Sequence, residues 1–315
     1  MLQSTSDRNS LIILLESLCL CLKIFFCLSS QDIPEFFEDH LDEFMGVMLK
    51  YYSFQNYSLG EIVEKVQTKI AQIINLYALK YEEVFPMLPH FVEKSWEMLT
   101  TIGLDSRFDK LVSNSMNIIA TVARQERHKS IFHKPNIIET ICDKIIVPNV
   151  ELRDSDLEVF EDEPIEFIRK DMEGSNHNSR RIAASDMIKG LMEHFEEEVS
   201  KIISNYISLY LQEYKSNTKR WKRKDAAIFL FNSVAIKSSV SFKGVTKVNP
   251  RFNIVSFFSE NIISDLQSES IHPILKVDGI KYFEIFRYQV LVVVNEIAYK
   301  RATSSSSPFD CWTDE

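Results

Sequence analysis

The sequence predicts an all-α chain built as an array of helix pairs, and three observations carry that expectation. Apolar residues recur at the 3.6-residue period of one helix face along most of the chain. Only seven glycines and nine prolines punctuate 315 residues, too few for the turns of a sheet protein. Hydrophobic residues make up 45%, which is ample for a core. The length suits two conventional domains or one elongated array.

The run Leu11 to Leu28 is about long enough to span a bilayer. Glu16 and Lys23 interrupt it, no positive stretch precedes it, and Ser29-Ser30-Gln31 is a poor cleavage context. It reads as a buried core helix without membrane insertion, and as one that something must cover. Asp32-Ile33-Pro34-Glu35 then supplies an N-cap and a proline near a first turn. Ser58-Leu59-Gly60-Glu61 resembles a capping box ahead of a helix from about Gly60 to Lys80, where Ile62, Val66, Ile70, Ile73, Ile74 and Tyr77 share one face. Leu111, Ile118, Ile119 and Val122 repeat the pattern, as do Ile188, Leu191, Met192 and Phe195. Val199, Ile202, Ile203, Tyr206, Ile207, Tyr210, Leu211 and Tyr214 give the cleanest stripe.

Pro86, Pro89, Pro135, Pro148, Pro164, Pro250 and Pro273 fall between these runs. Roughly a dozen helices, about one pair per 40 residues, match a HEAT-type or armadillo-type α-solenoid, with an irregular helical bundle as the competing architecture. Residues 1–10 read as a disordered N-terminus, 11–150 and 176–290 as HEAT repeats, and 151–175 as an acidic insertion. From 291 to 315 the chain diverges into a partly disordered tail that carries the serines 304–307.

A net charge of -9 argues against nucleic acid as the main ligand. The one basic cluster, Lys219-Arg220-Trp221-Lys222-Arg223-Lys224, fits a localisation signal, a nucleic-acid patch, or a loop and first helical turn. The last is favoured because Asp225-Ala226-Ala227 and an apolar helix follow. Cys19, Cys21, Cys27, Cys142 and Cys311 show no metal spacing, and their odd number fits a reducing compartment. His128 and His133 sit on different helix faces. No phosphate-cradling loop, nucleophile elbow or zinc-protease motif occurs, so the expectation is a non-enzymatic chain without a cofactor or metal.

Glu151 to Ser175 holds ten acidic residues against three basic ones, hence -7 of the total -9. Such a block repels itself and reads as a solvated loop or interaction element. An acidic surface loop often serves solubility alone. Here Phe160, Phe167 and Ile168 interleave with the acids and offer apolar anchors, which favours recognition of a basic partner. Arg180 and Arg181 follow at a helix start, where they are expected to pair with the insertion and orient it.

Several stretches carry a family resemblance: IPEFFEDHLDEFM from Ile33, LYALKYEEVF from Leu76, LVSNSMNIIATV from Leu111, WKRKDAA from Trp221 and LKVDGIKYFEIFR from Leu275. The most specific runs from Val147 through the acidic block to Ala184. Together, from about Leu11 to Val290, they resemble the importin-α re-exporters (the cellular apoptosis susceptibility family) of the importin-β superfamily. The resemblance implies a HEAT superhelix that binds importin-α together with Ran in its GTP form, meets nuclear pore proteins, and shuttles between nucleus and cytoplasm. It implies Asp154, Asp156, Glu158, Glu161, Asp162 and Glu163 as contacts to Ran or importin-α, with Phe160 as an anchor. Arg180 and Arg181 complete the candidate set. Family members are about three times longer, so the chain is expected to be a middle third: a fragment, a truncated isoform or a partial gene model. Its exposed apolar ends are expected to limit solubility. The alternative is a HEAT scaffold that no longer binds Ran.

Overall fold

The computed structural model describes residues 7–173, 179–240 and 244–291. It divides into two compact units, Met1–Asn205 and Tyr206–Glu315. This boundary falls inside a helix rather than at either edge of the acidic block.

The first unit opens with α1 (Arg8–Gln31). Asp7 caps it, accepting from the Ser10 amide at 2.9 Å and the Ser10 hydroxyl at 2.7 Å. Helical structure therefore begins at Arg8, inside the stretch to residue 10 expected to be disordered; residues 1–6 lie outside the described set. Short α2 (Glu35–Asp39) follows Pro34, which is itself the N-cap, while Asp32 only accepts from its neighbour's amide. Next come α3 (Leu41–Tyr52) and α4 (Glu61–Lys80). The expected Ser58–Glu61 capping box does not form. Gly60, at φ 68°, is the N-cap of α4, and Asn56 instead caps a preceding turn by accepting from the Ser58 amide and hydroxyl.

The order continues with α5 (Leu88–Thr101), α6 (Asp109–Arg124), α7 (Lys129–Phe132) and α8 (Ile137–Ile141), the last running on through a π turn over Cys142–Ile146. Helix α4 is the centre, flanked by α1 on one side and α6 on the other. Val66, Ile70, Ile73, Ile74 and Tyr77 of α4 are buried, as are Leu111, Ile118, Ile119 and Val122 of α6. Each such side chain contributes about 1.5–3 kcal/mol. A buried polar cluster crosses this core: the Tyr52 hydroxyl meets those of Ser95 and Ser115 at 2.9 Å, joining α3, α5 and α6.

Two further short helices, α9 (Asp154–Asp162) and α10 (Pro164–Glu173), occupy the acidic block. Helix α11 (Arg180–Ser216) follows and breaks helical geometry at Phe195. Gly190 lets α11 approach α6, since a Cβ there would lie 2.7 Å from the Ala120 carbonyl oxygen.

α1 is buried on one side only. Leu15, Leu22 and Phe25 face inward, while Ile13, Leu20 and Ile24 are about 60% exposed. The reading of Leu11 to Leu28 as a core helix thus holds for one face. The helix is long and apolar enough to cross a membrane by length and composition alone.

The second unit contains the end of α11, α12 (Trp221–Ala235), a hairpin of β1 (Ile236–Val240) and β2 (Gly244–Val248), then α13 (Ile254–Phe257), α14 (Ile263–Gln267) and α15 (Pro273–Ile285). The antiparallel hairpin pairs Ile236 with Val248 and Ser239 with Val245, and it departs from the expected all-helical pattern. Phe231 stacks on Phe257 at 3.8 Å, and the buried Tyr282 donates to the Ile254 carbonyl at 2.9 Å. The basic cluster is folded as its helical reading expects. Trp221 starts α12 and stacks on His272 at 3.6 Å, Arg223 lies over Tyr210, and Lys224 is buried 2.6 Å from Asp265. Burial raises the Asp265 carboxyl above its ordinary range, and the Lys224 ammonium opposes that shift. The tail expected beyond residue 291 lies outside the described residues.

Candidate functional site

The acidic block is a helical hairpin rather than a loop. Asp154 and Asp156 occupy the first turn of α9, where acids complement the helix dipole, and the Asp156 carboxylate accepts from the Arg153 amide at 2.9 Å. Pro164 has no amide hydrogen to extend the α9 ladder, so α9 stops and α10 starts with Pro164 at its first position. Within α10, Glu166 pairs with Arg169 at 2.6 Å and Lys170 at 3.3 Å, and the Arg169 hydrogen bond leads in holding the Glu166 carboxyl below its ordinary range.

Phe160 and Phe167 meet edge-on at 5.4 Å and close the two helices on each other. Phe160 is thus half-buried in an internal contact, not the freely presented anchor of the sequence reading. The outward apolar residues are Val159 and Ile165, the latter 82% exposed. Sequence reasoning missed both, because the burial of their neighbours is what leaves them outside. Glu158, Glu161, Asp162 and Glu163 are exposed and form no ion pair among the described residues. Asp154 is exposed too, whereas Asp156 is drawn inward.

What draws it inward is a clamp centred on Asp109, at the first turn of α6. Arg153 grips both Asp109 oxygens at 2.7 and 2.9 Å and reaches Asp156 with two further bonds of 3.0 Å. From the far side of the insertion, the Arg180 Nε donates to Asp109 at 2.6 Å. The rest of that guanidinium donates to the carbonyls of Gly103 and Asp105 and to the Asn149 side chain. One aspartate therefore binds an arginine near the start of the insertion and another just beyond its end. The two respond oppositely to it. The hydrogen bonds to Asp109 lead in raising the Arg153 pKa, whereas the deeper burial of Arg180 lowers its own; both stay charged.

This corrects the sequence reading of Arg180. It is 4% exposed and forms an internal clamp, linked to the insertion through Asp109 and Arg153, so its guanidinium is already engaged within the chain. Arg181 is half-buried. Asp109 escaped sequence analysis because its partners lie 44 and 71 residues away.

The family model described as Cse1 matches residues 1–297, beyond both limits of the expected likeness from Leu11 to Val290. The chain is 39% identical over 293 residues to the importin-alpha re-exporter of Schizosaccharomyces pombe, covering 90% of this chain and 30% of that protein. It is 41% identical over 296 residues to Exportin-2 of Homo sapiens, with the same two coverages of 90% and 30%. A solved structure, the exportin Cse1 in its cargo-free, cytoplasmic state, matches with a TM-score of 0.86 and 38% identity over 90% of this chain and 32% of that one. The chain spans about 30% of the length of these relatives. Its fold is accordingly an all-α, HEAT-repeat solenoid, and the chain belongs to the Cse1 family.

Proposed function

We propose that this chain acts as the segment of a nuclear export receptor that binds importin-α together with GTP-bound Ran, returning importin-α from nucleus to cytoplasm. The observation that carries this reading is its 39% identity, across 90% of its length, to an importin-alpha re-exporter. The insertion supplies a physical means. Asp154, Glu158, Glu161, Asp162 and Glu163 form an exposed anionic surface, with Val159 and Ile165 as apolar contacts, on a hairpin clamped at Asp109. Such a field speeds encounter with a basic partner and fixes its register. Shuttling past nuclear pore proteins belongs to the same proposal.

A second reading, a HEAT scaffold without Ran binding, is favoured by one fact: the chain covers only 30% of its relatives. Titration with Ran loaded with GTP or GDP, with and without importin-α, separates the two. The export reading expects binding selective for the GTP form and strengthened by importin-α. Absence of binding by folded chain selects the scaffold.

A further inference from the structure

We infer that a groove on the first unit, along α4 and α6, is a docking site for an extended acidic segment of a partner protein. The chain as a whole is acidic, yet this cavity of about 730 Å³ is lined by Lys23 of α1, Lys65 and Lys69 of α4, and Lys110 of α6. Lys65 is matched by Glu61 at 3.2 Å. Lys69 turns to the Gln72 side chain and lies over the Phe26 ring. Lys23 and Lys110 are exposed and meet no carboxylate among the described residues. Of the other acids that line the cavity, Asp109 and Asp156 are held by Arg153, while Glu64 lies 4.0 Å from Arg107 and keeps one buried oxygen without a hydrogen bond. Three ammonium groups from three helices thus line one cavity without a carboxylate partner, and an anionic ligand would supply one.

The shape selects a chain rather than a small ion. Gln72 also lines a neighbouring cavity of about 630 Å³, walled by Asn75, Asn114, Asn117 and Thr121. The Asn75 and Asn114 amides donate to main-chain carbonyls, whereas the Asn117 carboxamide makes no hydrogen bond among the described residues. A carboxamide offers a donor and an acceptor together, which matches a peptide unit. The two cavities therefore place charge recognition beside backbone recognition, as a bound extended segment requires. The exposed acids of the insertion, Glu158 and Glu161 to Glu163, line neither cavity, so the occupant comes from elsewhere. This inference does not depend on export activity.

The test is fluorescence anisotropy of the full chain with a peptide of alternating Glu and Ser, beside a Gln and Ser control. The acidic peptide is expected to bind saturably and the control not to. The double variant Lys23→Glu, Lys110→Glu should weaken binding by about tenfold or more at low salt, and Asn117→Leu by about threefold. Lys219→Glu, in the other unit, should leave it unchanged. Circular dichroism checks that the exposed lysine substitutions and the half-buried Asn117→Leu preserve helicity. Inositol hexakisphosphate is the arm for a free polyanion: if it binds more tightly than the peptide and ignores Asn117→Leu, the groove is a small-anion site and the inference falls. Equal binding of both peptides, no binding, or indifference to the lysine reversals also overturns it.

Discussion

Helices α4 and α9 lie in the same unit and are stabilised in different ways. α4 buries nine of its residues between α1 and α6, while α9 buries none. The first is fixed by apolar area. The second is held by an aspartate–arginine clamp at its base and by one aromatic contact with α10. The difference separates the residues that make the fold from those that present a surface, and it can be broken at specific positions.

The largest effect belongs to the packed side. Ile70→Ala, at a fully buried position, should cost about 4 kcal/mol in urea unfolding, whereas Ile165→Ala should change stability by less than about 0.5 kcal/mol. Equal costs would erase the distinction. Asp109→Ala leaves the buried Arg180 charge uncompensated and should cost about 3 kcal/mol, with a loss of hydrogen-exchange protection in α9 that Ile70→Ala does not single out. Protection retained in α9 would show that the clamp does not hold the insertion. In the second unit, Lys224→Met and Asp265→Leu should each destabilise by about 3 kcal/mol, and the double variant should recover most of that loss. Additive losses would mean that the buried pair is not coupled. The smallest effect is chemical: the Cys142 thiol, pushed up to about 12 by burial, should resist maleimide in the native state while the exposed Cys21 and Cys27 react.

The helices were legible because the signal repeats locally. Val199, Ile203, Ile207 and Tyr210 declare one face from spacing alone, and all four are buried. The acidic block misled for an opposite reason. Its net charge speaks for repulsion, yet placing Asp154 and Asp156 in a first turn and Glu166 before Arg169 and Lys170 makes each charge compatible with a helix. The hairpin from Ile236 to Val248 does carry β-branched residues (Ile236, Val240, Val245, Thr246 and Val248) and a glycine at 244, but serines and lysines interrupt their alternation and leave only a weak strand signal. The Ser58–Glu61 motif was a false cap, displaced by the positive φ that Gly60 adopts beside it. Within the candidate site the exposed acids could be read from composition. The roles of Arg153, Asp109 and Arg180 could not, because long-range ion pairs leave no local pattern.

The most direct measurement reverses the charges of the insertion and follows affinity and stability together. Glu161→Lys, Asp162→Lys and Glu163→Lys, combined, should weaken binding to GTP-loaded Ran in the presence of importin-α and flatten its salt dependence. Unfolding free energy should move by less than about 0.5 kcal/mol, since all three residues are exposed. Unchanged affinity with an unchanged salt slope would contradict the account and remove the insertion from the binding mechanism.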